Sequence, residues 1–112
     1  MKGMKQKEGK RKWNLVPFRA LGFIVDALTF GTKKYEDDNW KKVENGESEY
    51  FAAMQRHISR YKEALEWNDI SLEFDKESGL HCLAHAGCDL LFVFWFAMKR
   101  IIKQNGKHYF KK

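Results

Sequence analysis

The sequence has little proline, few cysteines and no long apolar run, and each shortage excludes a class of protein. A single proline, Pro17, rules out a proline-rich linker and favours helices. Two cysteines, Cys82 and Cys88, are too few for a disulfide framework, so we interpret both as reduced thiols. The longest apolar run, residues 90–98, is far shorter than the ~20 residues of a membrane span. We therefore expect a cytoplasmic protein that does not cross a membrane.

The basic charge is concentrated at the two ends of the chain. The net charge is +6, but residues 1–12 hold six Lys or Arg and one Glu, and residues 103–112 hold four Lys and no acid. We predict a disordered basic tail over residues 1–12, one domain over residues 13–105 and a second basic tail over residues 106–112. Basic tails attract phosphate groups, which leaves nucleic-acid binding open. A solubilising terminus is the simpler interpretation.

Hydrophobic periodicity predicts an all-α domain of about three main helices. The first is expected over residues 17–35, the second over about 47–68 with Ser48 as N-cap, and the third over about 78–103. The second helix carries an apolar stripe made of Tyr50 with Phe51, Met54, Ile58, Tyr61 and Leu65. No strand pattern competes with this interpretation.

The third predicted helix is apolar on every side over residues 90–98. A helix of this kind is expected to be buried on every side, and three helices of one chain cannot easily cover it. We therefore expect a homo-oligomer, a dimer or tetramer, that completes the helical bundle with this helix at its centre.

Three polar residues interrupt the third helix at a spacing of four: His81, His85 and Asp89. Positions i, i+4 and i+8 lie on one helical face. A buried carboxylate needs a cation, a donor or a metal ion, and imidazole with carboxylate can bind a divalent ion or hold a phosphate. A polar core network between subunits is the alternative.

Other acidic residues offer ligands for a hard cation. Glu63 and Glu66 have the E-x-x-E spacing that can aim two carboxylates at Mg²⁺ or Mn²⁺, although such pairs are also common on solvated helix faces. Glu73, Asp75 and Glu77 cluster before the third helix, where they either cap the helix or bind metal. The spacing leaves open which of these acids are ligands.

A third set of residues suits a nucleotide. Arg56 and His57 could neutralise a polyphosphate, and Lys34 adds positive charge after the first helix. Asn39 could hydrogen-bond a base edge, and Trp40 could stack on a base. Surface ion pairs and a packed tryptophan are the alternatives.

Six short blocks of the sequence carry a resemblance to a known family. They are KWNLVP at 12–17, LTFGTKKY at 28–35, NW at 39–40, RH at 56–57, DKESGL at 75–80 and LAHAGCDLLF at 83–92. In this order they resemble phage dATP/dGTP diphosphohydrolases of the MazZ-like group, which is related to MazG-type all-α nucleotide pyrophosphohydrolases.

The resemblance implies a dimeric or tetrameric helical-bundle enzyme. It implies hydrolysis of a purine deoxynucleoside triphosphate, dATP and/or dGTP, to the monophosphate and pyrophosphate with Mg²⁺ or Mn²⁺. The implied setting is the remodelling of the nucleotide pool for 2-aminoadenine synthesis by a phage, in the host cytoplasm.

The resemblance also implies roles for individual residues. The expected metal ligands are Glu63, Glu66, Glu77 and Asp89; the candidate catalytic residues are His57 and His85; the expected substrate-binding residues are Lys34, Asn39, Trp40 and Arg56. The broader MazG motif, E-x-x-E followed by E-x-x-D, is met at Glu63, Glu66 and Asp89, but Ala86 stands where that motif has its third glutamate. The MazZ-like group usually has a histidine where this chain has Cys82.

Two other functions remain open at this level. One is a small oligomeric protein that binds nucleic acid through its basic tails. The other is an inactive MazG-like scaffold, which Ala86 at the glutamate position keeps open.

Overall fold

Three α-helices make up most of the described part of the chain, residues 9–106, in this computed structural model. Helix α1 spans Phe18–Gly31, α2 spans Gly46–Glu66 and α3 spans Cys82–Asn105, with single turns of 3-10 helix at Trp13–Leu15, Asn39–Lys42 and Ile70–Glu73. One isolated bridge joins Phe74 to His81, and residues 9–106 form no strand. The all-α prediction is confirmed. Most of both predicted tails lies outside the described residues.

Helix α3 is the element against which both other helices pack. Its first half is built from small buried side chains, among them Cys82, Ala84, Ala86 and Cys88. A Cβ at Gly87 would lie 2.6 Å from Cδ1 of Ile24, so α1 can approach α3 there because residue 87 is glycine. Both cysteines are free thiols in this structure, and burial together with the charge of Asp89 raises the pKa of Cys88 to about 12.

The part of α3 from Phe92 onward, which we call its second or aromatic half, packs through aromatic rings. Phe92 stacks on Trp40 with ring centroids 4.3 Å apart, and Tyr50 meets it edge-on at 4.8 Å. Phe96 lies against the start of α2, where a Cβ at Gly46 would overlap its ring. These contacts fix the first turns of α2 and the Asn39–Lys42 turn to α3.

The helix boundaries differ from the predicted ones at three places. Helix α1 ends at Gly31 rather than near residue 35. Helix α2 is preceded by Asn45 in the left-handed region (φ 57°), and Ser48 is not its N-cap, because the Ser48 hydroxyl instead donates to the Asn45 carbonyl at 3.0 Å. Helix α3 begins at Cys82 rather than near residue 78, because residues 75–80 close a hydrogen-bonded loop.

His81 therefore does not share a face of α3 with His85 and Asp89. It is the N-cap of that helix, and its side chain accepts a hydrogen bond from the backbone N–H of Leu83 at 3.0 Å. Its Nε2 lies 2.7 Å from Glu73 Oε1, which ties the connector to the start of α3.

The buried face of α2 is rotated from the predicted apolar stripe. Three members of the stripe are partly buried as predicted, namely Tyr50, Met54 and Tyr61. Phe51, Ile58 and Leu65 are about half exposed, whereas Ala64 is buried and His57 is partly buried. At this turn of α2 the partly buried residue is His57, which stacks on His85 of α3, and the neighbouring Ile58 is exposed. The inward position of His57 brings it to the candidate site.

The apolar run of α3 is not covered within one chain. Leu90, Leu91 and Phe94 are each about half exposed. Oligomerisation that would cover them remains a prediction. By length and composition alone α3 could cross a membrane, but this is weak evidence, since the core helix of a soluble protein meets the same criteria.

Candidate functional site

The polar groups of α2, α3 and the loop between them meet in one place. We call this set the histidine–carboxylate cluster: His57, Asp75, Ser78, His85 and Asp89. His57 comes from α2, His85 and Asp89 from α3, and Asp75 and Ser78 from the loop before α3. The predicted set on the third helix was His81, His85 and Asp89; the structure keeps His85 and Asp89 together, replaces His81 with His57 of α2, and adds the loop residues.

The loop over residues 75–80 is closed by hydrogen bonds to Asp75. Asp75 Oδ2 accepts from the backbone N–H of Glu77 at 3.1 Å and of Ser78 at 2.8 Å. Its backbone N–H donates to the Leu80 carbonyl, and its own carbonyl accepts from Gly79, which has a positive φ of 75°. The Asp75 side chain thus stabilises the loop, as short polar side chains do in tight turns.

The two histidines of the cluster lie ring against ring. His57 and His85 are stacked with centroids 5.0 Å apart and planes 18° apart. His85 Nε2 lies 2.7 Å from the Ser78 hydroxyl, and Phe30 of α1 meets the His85 ring edge-on. The His85 ring is therefore held on three sides, by Ser78, His57 and Phe30.

Asp89 is the least satisfied polar residue in the part of the chain that the structure describes. Its side chain is buried, and Oδ2 has no hydrogen-bond partner among residues 9–106. His57 Nε2 is 3.8 Å away, beyond hydrogen-bonding distance. Burial raises the pKa of Asp89 to about 7, against a smaller opposing effect of the Arg56 charge. A buried carboxylate without a partner is costly, so this oxygen calls for a cation or donor.

The surroundings of His57 disfavour its charged form. Burial lowers its pKa, and the neighbouring His85, Arg56 and Arg60 lower it further against the attraction of Asp75. Because the pKa of His57 is lowered and that of Asp89 is raised, the two groups do not form a strong ion pair. The positive charge on this side of the cluster comes instead from the two arginines.

An open polar depression on α2 leads to the cluster. It is lined by Arg56, His57, Arg60, Glu63 and Asp75 with neighbouring small residues. Arg60 is anchored, because its Nε donates to the Leu72 carbonyl at 2.8 Å. The predicted Arg56–His57 phosphate element and the predicted ligand Glu63 therefore share one surface.

The four predicted metal ligands are not brought together. Glu63 lies in the depression, Glu66 is exposed at the last residue of α2, and Asp89 is buried. Glu77 is exposed and ion-paired with Lys34 at 2.5 Å, which joins a predicted ligand to a predicted phosphate-binding residue. Within residues 9–106 no group of three His, Cys, Asp or Glu side chains could hold a metal ion. In the single chain the buried Asp89 oxygen is the group best suited to a cation.

The predicted base-binding residues line a separate cavity bordered by α1, the turn at residues 39–42, α2 and α3. Asn39, Trp40, Tyr35 and Tyr50 border a cavity of about 430 Å³ that also reaches Cys88, the neighbour of Asp89. One face of Trp40 is already stacked on Phe92. Much of the Trp40 indole is therefore packed, as the alternative interpretation predicts. Asn39 is half-buried at the edge of the cavity.

Ser78 is the residue of the site that sequence reasoning missed. In the sequence it suggests the start of a helix, but the structure uses it inside the loop. The signal that could have identified it is the D-x-x-S pattern at residues 75–78, which is typical of a side-chain-closed turn. Asp75 is one of the connector acids that the sequence offers as metal ligands, and in the structure its side chain bonds to the loop backbone.

Comparisons with known proteins agree with the sequence resemblance. The family model described as "dATP/dGTP diphosphohydrolase, N-terminal" matches residues 1–105. A curated protein named dATP/dGTP diphosphohydrolase, from Salmonella phage PMBT28, is 31% identical over 102 residues. That match covers 89% of this chain but 31% of the relative, so the chain spans about a third of the relative's length. No solved structure matches the chain significantly.

Proposed function

Because the chain belongs to the dATP/dGTP diphosphohydrolase N-terminal family, we propose that it hydrolyses dATP and/or dGTP to the monophosphate and pyrophosphate with Mg²⁺ or Mn²⁺. The role would lie in remodelling the nucleotide pool of a phage in the host cytoplasm, with 2-aminoadenine synthesis as the specific setting. The named activity of the phage relative supports the reaction class.

The observation that carries this proposal is the Asp89 oxygen Oδ2, which has no hydrogen-bond partner within residues 9–106. It is buried beside two stacked histidines and near Arg56, in an otherwise small-residue stretch of α3. A folded protein keeps such a group when something else binds it. A cation or a protonated substrate oxygen would satisfy it.

The residues present can supply part of the coordination of a metal ion. Mg²⁺ is commonly held by one or two carboxylates together with substrate phosphates and water, so one buried carboxylate is a sufficient protein anchor. Asp89 would hold the ion, and substrate phosphates and water would supply the remaining ligands. The bound ion would neutralise charge on the phosphates and activate water.

The chain's own residues would bind and orient the triphosphate. Arg56 and Arg60 supply positive charge at the depression, and Arg60 is fixed by its bond to the Leu72 carbonyl. Lys34 would reach phosphate only by leaving Glu77. The base or sugar would occupy the cavity at Asn39, whose volume of about 430 Å³ is in the range typical of ligand sites.

The test is pyrophosphate release from the four dNTPs and four NTPs with Mg²⁺, with Mn²⁺ and with EDTA. We expect metal-dependent release from dATP or dGTP and formation of the monophosphate. No release from any of the eight nucleotides would refute the enzyme proposal. Salt-sensitive binding of nucleic acid would then favour the basic-tail function, and its absence would favour the inactive scaffold.

A further inference from the structure

The connector between α2 and α3, residues 67–81, is tied to both helices by side-chain hydrogen bonds. From the side of α2, the Nε–H of Arg60 donates to the Leu72 carbonyl at 2.8 Å. From the side of α3, Nε2 of the N-cap His81 lies 2.7 Å from Glu73 Oε1. Leu72 and Glu73 are neighbours in one turn of 3-10 helix, so the two ties meet at one point of the connector.

The direction of the hydrogen bond between His81 and Glu73 is fixed by the cap of α3. His81 Nδ1 accepts from the backbone N–H of Leu83 at 3.0 Å, and a backbone N–H can only donate. Nδ1 therefore carries no proton, and the proton on Nε2 is donated to the Glu73 carboxylate. A bond to a carboxylate is of the stronger, charge-assisted kind. The Glu73 side chain is only 19% exposed, which limits the competition from water.

The bond to the Leu72 carbonyl decides which part of Arg60 can bind a ligand. It uses Nε, so the two terminal amino groups of the guanidinium remain for other partners. Arg60 is half-buried and lines the depression together with His57 and Asp75 of the cluster. Its charge contributes to the lowered pKa of His57, so the guanidinium lies near the cluster. An arginine held in this way loses little conformational freedom when it binds a phosphate.

We propose that Glu73 is a positioning residue that holds Arg60 in the direction needed to bind a phosphate group. Glu73 fixes the connector through His81, and the connector holds Arg60 through the Leu72 carbonyl. Glu73 itself would touch neither phosphate nor metal, although the sequence offers it as a possible ligand. The role of phosphate rests on the proposed function, whereas the hold on Arg60 is a property of the chain without nucleotide.

Two substitutions of Glu73 separate positioning from metal binding. Glu73→Gln keeps an oxygen that can accept from His81 Nε2, so it should leave Arg60 in place. A metal ligand would be impaired by the same change, because Mg²⁺ is held by charged carboxylates. Glu73→Ala removes the acceptor altogether. If Glu73→Ala fails to fold, His81→Asn takes its place, because asparagine can still cap α3 but is too short to reach Glu73 as well.

The first measurement is the ¹H–¹⁵N signal of the arginine Nε–H groups in the full chain without nucleotide or metal. The Arg60 signal is assigned by its loss in Arg60→Lys. We expect slow hydrogen exchange of this group in the wild type and in Glu73→Gln, and about tenfold faster exchange in Glu73→Ala and His81→Asn. Glu47→Ala is the matched control, because Glu47 holds Arg100 rather than Arg60. Equal exchange in the wild type and Glu73→Ala would overturn the proposal.

The second measurement is the Kd of inorganic triphosphate in the presence of Mg²⁺, determined by calorimetric titration. Glu73→Ala should raise the Kd about tenfold, and Glu73→Gln should raise it less than about twofold. In an Arg60→Ala background, Glu73→Ala should have no further effect, since it acts through Arg60. In an Arg56→Ala background it should keep its full effect, because Arg56 is exposed and is not the arginine that Leu72 holds.

The outcomes of the titrations separate this proposal from its alternatives. An equal rise in Kd for Glu73→Gln and Glu73→Ala would assign Glu73 to the metal ion and overturn the positioning role. An undiminished effect of Glu73→Ala in the Arg60→Ala background would also overturn it, as would a wild type that does not bind triphosphate. If these results are as expected but no nucleotide releases pyrophosphate, only the proposed enzymatic activity is refuted.

Discussion

The two halves of α3 are built on different principles. The first half has small side chains, a glycine contact with α1, and a cluster whose buried carboxylate oxygen has no partner within residues 9–106. The second half is a set of stacked aromatic rings around Phe92 and Trp40. The first half contains an unsatisfied polar group, and the packing of the second half offsets the cost of burying it. The proposed function and the aromatic packing thus belong to neighbouring segments of one helix, with Asp89 three residues, less than one turn, before Phe92.

The largest expected loss of stability comes from Phe92→Ala in the aromatic half. Removal of a buried ring that packs against Trp40 and Tyr50 should lower the free energy of unfolding by about 3–5 kcal/mol. Denaturant unfolding followed by circular dichroism measures this effect. Phe18→Ala is the control, because Phe18 is 58% exposed and its truncation should cost far less. Equal losses in both variants would contradict the aromatic half as the stabilising one.

The second prediction concerns Asp89 in the first half of α3, where a substitution should raise the free energy of unfolding rather than lower it. The pKa of Asp89 is about 7 in the folded chain against 3.8 ordinarily, so folded protein keeps a proton that unfolded protein releases. Stability should therefore fall as the pH rises from about 4 to about 7 and then level off. Asp89→Asn should remove this contribution and be more stable than wild type at pH 8 in EDTA, by a few kcal/mol.

Thermal unfolding of wild type and Asp89→Asn between pH 4 and 8 measures that difference. Asp26→Asn, an exposed aspartate on α1, is the matched control and should follow the wild type. Mn²⁺ should raise the melting temperature of the wild type but not of Asp89→Asn. A wild type that gains stability relative to Asp89→Asn between pH 4 and 7 would refute the assigned burial of this carboxylate.

The smallest effect is expected at the far end of the aromatic half. Arg100 forms a two-pronged ion pair with Glu47, with both N–O distances 3.0 Å, but both side chains are well exposed. Exposed pairs contribute little and are screened by salt. Arg100→Gln should therefore change the melting temperature less than either substitution above, and the change should vanish in 1 M NaCl. A salt-independent loss as large as that of Phe92→Ala would contradict this ranking.

The sequence predicted the helices better than their ends. The 3.6-residue periodicity of α1, α2 and α3 is strong enough to indicate an all-α domain. Their boundaries depend on single hydrogen bonds that periodicity does not contain. Ser48 and Ser78 both have the residue type of an N-cap, yet one bonds back to Asn45 and the other belongs to a loop.

The sequence predicted only part of the candidate site, again because periodicity does not contain single hydrogen bonds. Spacing along α3 correctly placed His85 and Asp89 on one face, and a buried acid needs a partner whatever the fold. The spacing along α2 could not show whether Glu63 and Glu66 face the core, because their orientation depends on which residues of α3 contact α2. Hydrogen bonds within the connector determine its conformation, so the positions of Asp75, Ser78 and Glu77 could not be predicted from periodicity.

The most direct test of this account compares pyrophosphate release from dATP and dGTP by the wild type and Asp89→Asn, with Mg²⁺ or Mn²⁺. The account predicts metal-dependent release by the wild type and a loss on the order of 10²–10³-fold in Asp89→Asn, which should fold and assemble as the wild type does. Equal rates for the two proteins, or no release by the wild type, would contradict the assignment of the first half of α3 as the active centre.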